Sequence, residues 1–358
     1  MGRDLAIDLG SANTLVYRQG DGVVFREPTV VAVDVATGRV VALGERAWAE
    51  IGGRSGSVVA VRPLRQGVMT EYEVAAAMLQ AIFRRIGASR FPRPRVLVVI
   101  PSASSPVERR AVEEAVTEAG GRDVVLVEEA LAAAVGAGLP IHEPVGNLVV
   151  NVGGGGSEMA MLSMGGVVSG RSVPVGGFDL DRAIQEHVRR EYGVAIGERA
   201  AEQVKIAVGS AFPTARGRRA VVRGRDLATG NTVEVSLGDD EVRRAMADPV
   251  RRIVEGARRC LAEAPPELTH DVLETGMFLT GGGALLRGLD VLLAQECEVP
   301  VHVAERPLET VAVGAGRMLE RLAEYRSSFQ LVRSPAPTGG SPRTAAGSGG
   351  RPGRGRWR

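Results

Sequence analysis

The pattern of apolar and polar positions divides the chain into short strands and helices that alternate. Apolar or alternating runs predict strands at residues 4–9, 14–18, 22–33, 39–43, 95–101, 124–128, 147–152, 158–163, 166–173, 277–283 and 299–304, with further β-like segments in 219–237. Apolar residues at helical spacing predict helices at 73–86, 105–120, 129–137, 177–192, 198–208, 239–262, 285–295 and 308–324. This alternation indicates an α/β fold with mostly parallel sheets.

Two stretches of the chain repeat one local pattern. "LAIDLGSANTLVY" begins at residue 5 and "LVVNVGGGGSEMAML" at residue 148, and both read as strand, small-residue turn, strand. Backbone N–H groups of such turns can approach an anion closely, because no side chain intervenes. A third glycine turn, "TGGGALLRG", begins at residue 280 after another apolar run. The pattern predicts a duplicated fold whose turns hold phosphate.

Two common nucleotide-binding motifs are excluded. A P-loop requires Gly-Lys-Ser/Thr, but the only lysine of the chain is Lys205, which follows Val204. A Rossmann fingerprint leads from a first strand into a helix, whereas the first glycine turn here leads into a second strand. All other basic residues are arginine, so the position that keeps lysine is a candidate for a specific ammonium contact.

Composition places the chain among soluble globular proteins, with 358 residues, 44% of them hydrophobic and 24% charged. Residues 331–358 contain six arginines and no acid, so the other 330 residues carry a net charge of −4. This Pro/Gly/Ser/Arg-rich tail is predicted to be disordered. Two cysteines exclude a disulfide framework, "MGRDLAIDLG" is not typical of a signal peptide, and a cytoplasmic location is expected.

Many segments between residues 4 and 325 resemble the MreB-type bacterial actins. They include "DLGSANTLVY", "EPTVVAV", "VAVRPL", "VEEALAAAVGAGLP", "GERAAEQVKIAVGSAFP", "FLTGGGALLRGLD" and "VHVAERPLETVAVGAGRMLE". The resemblance implies an actin-like two-lobed α/β fold with duplicated sheet domains and ATP with Mg²⁺ in the cleft between them. Lobe I is expected at 1–140 and 309–330, with a small subdomain at about 30–65, and lobe II at 141–308, with a small subdomain at about 181–249.

The resemblance also assigns roles to individual residues. Asp8 matches the carboxylate that holds Mg²⁺ through water, and Glu129 matches the residue that orients the attacking water. Two loops match phosphate contacts and a glycine turn matches the adenosine motif, while a helical pair matches the ribose and base contacts. The residues are Gly10, Ser11, Ala12 and Asn13; Asn151, Gly153, Gly154 and Gly155; Gly281, Gly282 and Gly283; and Glu202 with Lys205.

Simpler interpretations exist for several of these residues. Asp8 could simply be the residue that ends a strand, with no contact to a ligand. Glu129 could be an acid favoured at a helix N-terminus by the helix dipole. Glu202 and Lys205 could form an exposed ion pair of little energetic weight. The arginines at 216, 218, 219, 223 and 225 are interpreted as a solvated face and not as a nucleic-acid-binding surface.

The second phosphate loop departs from the family pattern. Residues 151–158 read Asn-Val-Gly-Gly-Gly-Gly-Ser-Glu, where the family usually has Asp-Ile-Gly-Gly-Gly-Thr-Thr-Glu. The amide of Asn151 supplies no negative charge to a metal, and losing one charge-assisted contact commonly slows a reaction about 10²–10³-fold. Binding depends on the backbone turns and should suffer less. We therefore expect ATP binding with slow or absent hydrolysis.

The family resemblance implies homopolymer filaments at the inner face of the cytoplasmic membrane. These filaments organise cell shape and wall synthesis, with membrane proteins of the elongation machinery as possible partners. In the loop "IGASRFPRPR" at 86–95, an exposed Phe91 among arginines suits insertion into an anionic membrane. The alternative is that the Phe91 ring folds back on its neighbours.

The sequence also bears on three other functions. A sugar kinase of the same superfamily needs an acceptor pocket and larger inserted domains, which the sequence does not show. A chaperone of the seventy-kilodalton heat-shock class needs a peptide-binding domain where this chain has 28 residues. A nucleotide-free or non-hydrolysing actin-fold scaffold remains an alternative because the second phosphate loop is altered.

Overall fold

The computed structural model describes residues 3–49, 57–89, 91–213 and 217–325. The tail predicted at 331–358 and Arg216 of the arginine run lie outside these ranges. Within them, the chain forms two large sheets with smaller sheets and helices around them.

The first part of the chain supplies one large sheet and one small domain. Its strands are β1 Leu5–Leu9, β2 Asn13–Arg18, β3 Gly22–Pro28, β4 Val31–Asp34, β5 Val40–Leu43, β6 Val58–Val61, β7 Leu64–Arg65, β8 Val68–Met69, β9 Val96–Ile100 and β10 Val124–Glu128. Its helices are α1 Glu45–Ala49, α2 Tyr72–Arg85, α3 Pro106–Ala119 and α4 Glu129–Ala137.

The second part repeats this plan. Its strands are β11 Asn147–Val152, β12 Ser157–Ser163, β13 Gly166–Val173, β14 Val194–Ala195, β15 Arg219–Asp226, β16 Thr232–Gly238, β17 Met277–Thr280 and β18 Val301–Val303. Its helices are α5 Gly177–Tyr192, α6 Glu198–Val208, α7 Asp239–Ala245, α8 Ala247–Glu263, α9 Pro266–Thr275, α10 Leu289–Cys297 and α11 Thr310–Glu320, with a 3₁₀ turn at Gly282–Leu285.

The two large sheets have the same topology, which confirms the predicted duplication. Their strand orders are β10-β9-β1-β2-β3 and β18-β17-β11-β12-β13. In each, a central strand pairs antiparallel with the next strand of the chain and parallel with a strand from much later. Asp8 therefore occupies the same place in β1 as Asn151 does in β11, two residues before the first glycine of its turn.

Two helices, α4 and α11, lie between the large sheets. The apolar cluster around them includes residues of both sheets, such as Leu97 of β9 and Leu162 of β12. The helices approach closely, because a Cβ on Gly136 would lie 1.9 Å from the carbonyl oxygen of Thr310, and one on Gly314 would lie 1.8 Å from that of Ala132. Glycine permits this crossing, which joins the C-terminal helix to the helix that begins at the predicted catalytic Glu129.

The structure changes the predicted helices in two places. The single helix predicted at 239–262 is interrupted at Met246, because Pro249 has no N–H to donate to the carbonyl of Ala245. The helix predicted at 285–295 is a 3₁₀ turn followed by α10, separated at Gly288 with φ 72°. Helix α9 and the short strands β6 to β8 were not predicted.

Candidate functional site

A cavity of about 670 Å³ lies between the two parts of the fold, where the glycine turns meet. Every residue predicted to bind nucleotide or to act in catalysis lines it. They are Asp8, Gly10, Ser11, Ala12, Asn13, Glu129, Asn151, Gly153, Gly154, Gly155, Glu202, Lys205, Gly281, Gly282 and Gly283. Residues separated by more than 250 positions in the sequence are thus brought to one site.

The first loop is held by hydroxyl groups on both sides. The Thr29 hydroxyl donates to the carbonyl oxygen of Gly10 at 2.6 Å. The Ser11 hydroxyl accepts a hydrogen bond from the backbone N–H of Gly67 at 2.7 Å, which fixes the loop against the β7–β8 turn. A Cβ on Gly10 would lie 2.8 Å from the carbonyl oxygen of Asn13, so the turn is too tight for a side chain.

The second loop packs directly against the first. A Cβ on Gly154 would lie 2.4 Å from the Cβ of Ala12, and a Cβ on Gly155 would lie 2.7 Å from the Ser11 hydroxyl oxygen. The carbonyl oxygen of Gly154 accepts a hydrogen bond from the N–H of Phe178 at 2.9 Å, where α5 begins. The glycines at these positions allow two backbone turns to share one narrow space.

Asn151 connects Glu129, the predicted catalytic residue, to the neighbouring strand β17. Its Nδ2 donates to Oε1 of Glu129 at 2.7 Å, and its Oδ1 accepts a hydrogen bond from the Thr280 hydroxyl at 2.9 Å. Asn151 and Thr280 are paired residues of the parallel strands β11 and β17, and both are buried. A carboxylate at position 151 could not donate to Glu129, so this bridge depends on the amide.

Three carboxyl groups line the same part of the cavity. Burial raises the pKa of Asp8 to about 7. Burial and the neighbouring carboxyls of Glu158 and Asp8 raise the pKa of Glu129 well above its usual value, while the hydrogen bond from Asn151 lowers it. Burial also raises the pKa of Glu158, which accepts hydrogen bonds from the N–H and the hydroxyl of Ser102, both at 2.9 Å. These three carboxyl groups therefore make one part of the cavity acidic.

The sole lysine pairs with an acid that the sequence did not single out. Lys205 Nζ lies 2.8 Å from Oδ1 of Asp181 and donates to the carbonyl oxygen of Gly177 at 3.2 Å. Glu202 lies one turn away on the same helix and lines the same cavity. The interpretation of Glu202 and Lys205 as an exposed pair is therefore wrong, because Lys205 is largely buried and its partner is Asp181.

The third turn closes the cavity on the side of α6. Gly281 has φ 79°, and a Cβ there would lie 2.4 Å from the carbonyl oxygen of Val152. Ile206 and Leu285 line the cavity with large exposed apolar side chains, 69% and 58% accessible. They offer an apolar surface on which a flat ring could rest.

Sequence reasoning missed Thr280 and Asp181. Thr280 directly precedes the glycines of the third turn, so its position was a usable signal. Asp181 gave a weaker signal, because nothing in the local sequence "GFDLDRAI" distinguishes it from the neighbouring charged residues. It meets Lys205 only through the packing of α5 on α6.

Phe91 is remote from this cavity and 91% exposed in the loop before β9. The alternative that its ring folds back on its neighbours is wrong. In the arginine run, Arg223 of β15 pairs with Glu234 of β16 at 2.8 Å, and both side chains are exposed. Within the described ranges, no helix has the length and apolar character needed to cross a bilayer.

Comparison with known proteins identifies relatives along the whole described chain. The MreB/Mbl protein family model matches residues 2–327. The cell shape-determining protein Mbl of Bacillus cereus is 44% identical over 321 residues, which cover 89% of this chain and 96% of the relative. The cell shape-determining protein MreB of Escherichia coli is 46% identical over 325 residues, which cover 89% and 94%.

Solved structures agree with this result. MreB5 of Spiroplasma citri bound to ADP has a TM-score of 0.86 and 33% identity, with 91% of this chain and 99% of that chain covered. The MamK double helical filament, with a TM-score of 0.73 and 19% identity, shares the fold. The actin-like fold predicted from sequence is confirmed, and the chain belongs to the MreB/Mbl family.

Proposed function

We propose that this chain is a cytoskeletal protein that binds ATP with Mg²⁺ between its lobes and polymerises into membrane-associated filaments. These filaments organise cell shape and wall synthesis, and ATP hydrolysis is slow. The observation that carries the proposal is the convergence of three glycine turns, Asp8, Glu129 and Lys205 on one cavity. The relatives named as cell shape-determining proteins and the ADP-bound solved structure support it.

The lobes follow the two large sheets. We propose lobe I at 1–140 and 309–330 and lobe II at 141–308, with small subdomains at about 30–65 and 181–249. Helix α11 packs on β1, β2 and β9, which supports its assignment to lobe I although it is last in the sequence. The small sheets β5-β4-β6 and β14-β15-β16 lie within the proposed subdomains.

The cavity residues suit a nucleotide held mainly through backbone groups. The loops at Gly10–Asn13 and Gly153–Gly155 would cradle phosphates, and Glu202, Lys205 and Gly281–Gly283 would contact the nucleoside.

Asp8 is half-buried and its carboxyl lines the cavity beside the glycine turns, which fits Mg²⁺ held through water. Among the described residues, no group of three or more His, Cys, Asp or Glu side chains is arranged to bind a metal directly. This donor set fits a cation that the phosphates bring with them, and Mg²⁺ would neutralise charge on those phosphates.

Slow hydrolysis follows from the bridge at Asn151. The amide takes one acceptor site on Oε1 of Glu129 and holds this carboxyl in one orientation, so it has fewer sites left to orient a water. Asn151 also adds no negative charge to hold the water shell of a metal. Asn151 affects ATP binding less than hydrolysis, because the glycine turns, Glu202 and Lys205 do not depend on the bridge to Glu129.

The test is ATP binding and phosphate release by the purified chain with Mg²⁺, compared with Asn151→Asp. We expect binding by both proteins, slow release by the native chain and release about 10²-fold faster in the variant. Equal and rapid release would show that Asn151 does not limit hydrolysis. Absence of binding to the native chain would support the nucleotide-free scaffold instead.

Self-association and membrane contact complete the proposal. Filaments would be seen by electron microscopy after addition of ATP and Mg²⁺. Phe91, exposed beside the exposed Arg93, would insert into an anionic leaflet on the inner face of the cytoplasmic membrane. Membrane proteins of the elongation machinery would be the partners there.

A further inference from the structure

Arg62 joins the two parts of the fold at one edge of the cleft. It follows strand β6 of the small three-stranded sheet, and its guanidinium carbon lies 4.6 Å from the ring centroid of Trp48 in α1. The same carbon lies 4.4 Å from the ring centroid of Phe178, which belongs to α5 in the second part of the fold. One cation therefore contacts aromatic rings on both sides of the cleft.

An ion pair holds the same guanidinium to a second helix. Nε and Nη2 of Arg62 donate to Oε2 of Glu198 at 3.4 and 3.3 Å. The side chain of Arg62 is only 16% exposed, so its contacts are partly shielded from water and salt. Glu198 is the first residue of α6, the helix that also carries Glu202 and Lys205.

These contacts adjoin the proposed nucleotide site. Arg62, Trp48, Phe178 and Glu198 line a second cavity of about 370 Å³, which shares residues such as Gly155 with the main cavity. Phe178 also donates its N–H to the carbonyl oxygen of Gly154 in the second phosphate loop. A movement of Arg62 would thus alter contacts both with the loop that contains Gly154 and with helix α6.

We propose that Arg62 is an interlobe clasp that keeps the cleft closed and slows nucleotide release. A delocalised cation that contacts two rings while two of its N–H groups donate to one carboxylate oxygen is better provided by arginine than by lysine. The clasp spans the cleft through side chains alone, so it can open without breaking a strand or helix. The effect of the clasp on the rate of nucleotide release rests on the proposed function. Its effect on closure of the cleft does not depend on that function.

The first test uses Trp48 as a reporter of closure. The chain has two tryptophans, so Trp357→Phe leaves Trp48 as the only one in the full-length protein. We expect Glu198→Gln in that background, which keeps the Arg62 side chain that covers Trp48, to raise the acrylamide quenching constant of Trp48 about twofold, because opening of the cleft exposes the ring. Arg65→Gln, at an exposed arginine of the same cavity, is the control and should leave quenching unchanged.

The second test measures release of a fluorescent ATP analogue chased with excess ATP. We expect Arg62→Gln to release it about tenfold faster and Arg62→Lys to lie between Gln and the native chain. Glu198→Gln, at a half-exposed position, provides a second variant if Arg62→Gln does not fold, and it should raise both quenching and release.

The outcomes separate the clasp from the proposed function. Unchanged quenching in Glu198→Gln, which keeps the arginine over Trp48, would overturn the clasp. Raised quenching with an unchanged rate of analogue release would show that the clasp does not control nucleotide release. If the native chain binds no nucleotide, the proposed function fails, and quenching still decides whether Arg62 closes the cleft.

Discussion

The amide of Asn151 donates to Oε1 of Glu129 at 2.7 Å, in the position where a carboxylate would instead face Glu129 with a like charge. Without a metal, Asn151→Asp places a buried acid against the half-buried Glu129, and we expect the free energy of unfolding to fall by about 1–3 kcal/mol. Urea unfolding in EDTA measures this change. The double variant Asn151→Asp with Glu129→Gln restores a donor–acceptor pair and should recover most of the loss. A single variant as stable as the native chain would contradict the bridge.

Thr280 directs that amide. Its hydroxyl donates to Oδ1 of Asn151 at 2.9 Å, which turns Nδ2 towards Glu129. Thr280→Val keeps the shape but leaves Oδ1 buried without this donor, so we expect a loss of about 1–2 kcal/mol in unfolding free energy. Thr280→Ser retains the hydroxyl and serves as the control. Equal losses for Val and Ser would show that packing, and not the hydrogen bond, matters there.

The contact between the two phosphate loops predicts the effect of one methyl group. In Gly154→Ala the new Cβ would lie 2.4 Å from the Cβ of Ala12, so the loops must move apart. We expect ATP affinity to fall at least tenfold by calorimetry, because the two backbone cradles no longer fit the same phosphates. Gly166→Ala, at a position with nothing within 4 Å, is the matched control and should bind as the native chain does.

Asp181 predicts a pH dependence of stability. Burial raises its pKa from 3.8 to about 6, although Lys205 opposes the shift. The folded chain thus binds a proton at Asp181 more tightly than the unfolded chain does. The contribution of this group therefore favours folding most below pH 4 and declines as pH rises to about 6, by an amount on the order of 3 kcal/mol.

Urea unfolding of the native chain and Asp181→Asn between pH 4 and 7 tests this prediction. The difference in unfolding free energy between the two proteins should change in favour of the variant as pH rises. A difference that stays constant with pH would mean that Asp181 does not titrate in this window.

Phe91 predicts the outcome of a vesicle experiment. We expect the native chain to co-sediment with anionic vesicles and Phe91→Ala to lose most of this binding, because an exposed ring supplies the apolar contact. Met164→Ala removes another exposed apolar side chain, on the turn between β12 and β13, and should have little effect. Similar losses from both variants would argue against a specific role for Phe91.

Features carried by short sequence segments were predictable. Asp8 lies near the end of the buried strand β1, and the glycine turns and Glu129 directly follow strands. Strand ends of a duplicated sheet come together by topology alone. The two similar strand–turn–strand segments also predicted the duplication of the fold. The bounds of β11 and α4 were also predicted correctly, since a run of apolar residues and a following glycine mark them.

Side-chain partners from distant segments were not predictable. Thr280 meets Asn151 only because β17 pairs with β11, and Arg62 reaches Phe178 only when the small sheet packs towards α5. The partner of Lys205 was missed for the same reason, since Asp181 is brought to it by the packing of two helices. Periodicity reports which face of an element is buried but not which residue lies opposite.

The close crossing of α4 and α11 has a consequence for synthesis of the chain. The core between the large sheets includes Val311, Ala315 and Met318 of α11. This core is therefore incomplete until residue 320 has left the ribosome. The first large sheet begins to emerge first, yet the core on its inner face is completed last. A nascent chain therefore exposes the apolar surface of α4 throughout the translation of the second large sheet, and the time spent in that state is set by elongation and not by the folding rate of the first part of the chain.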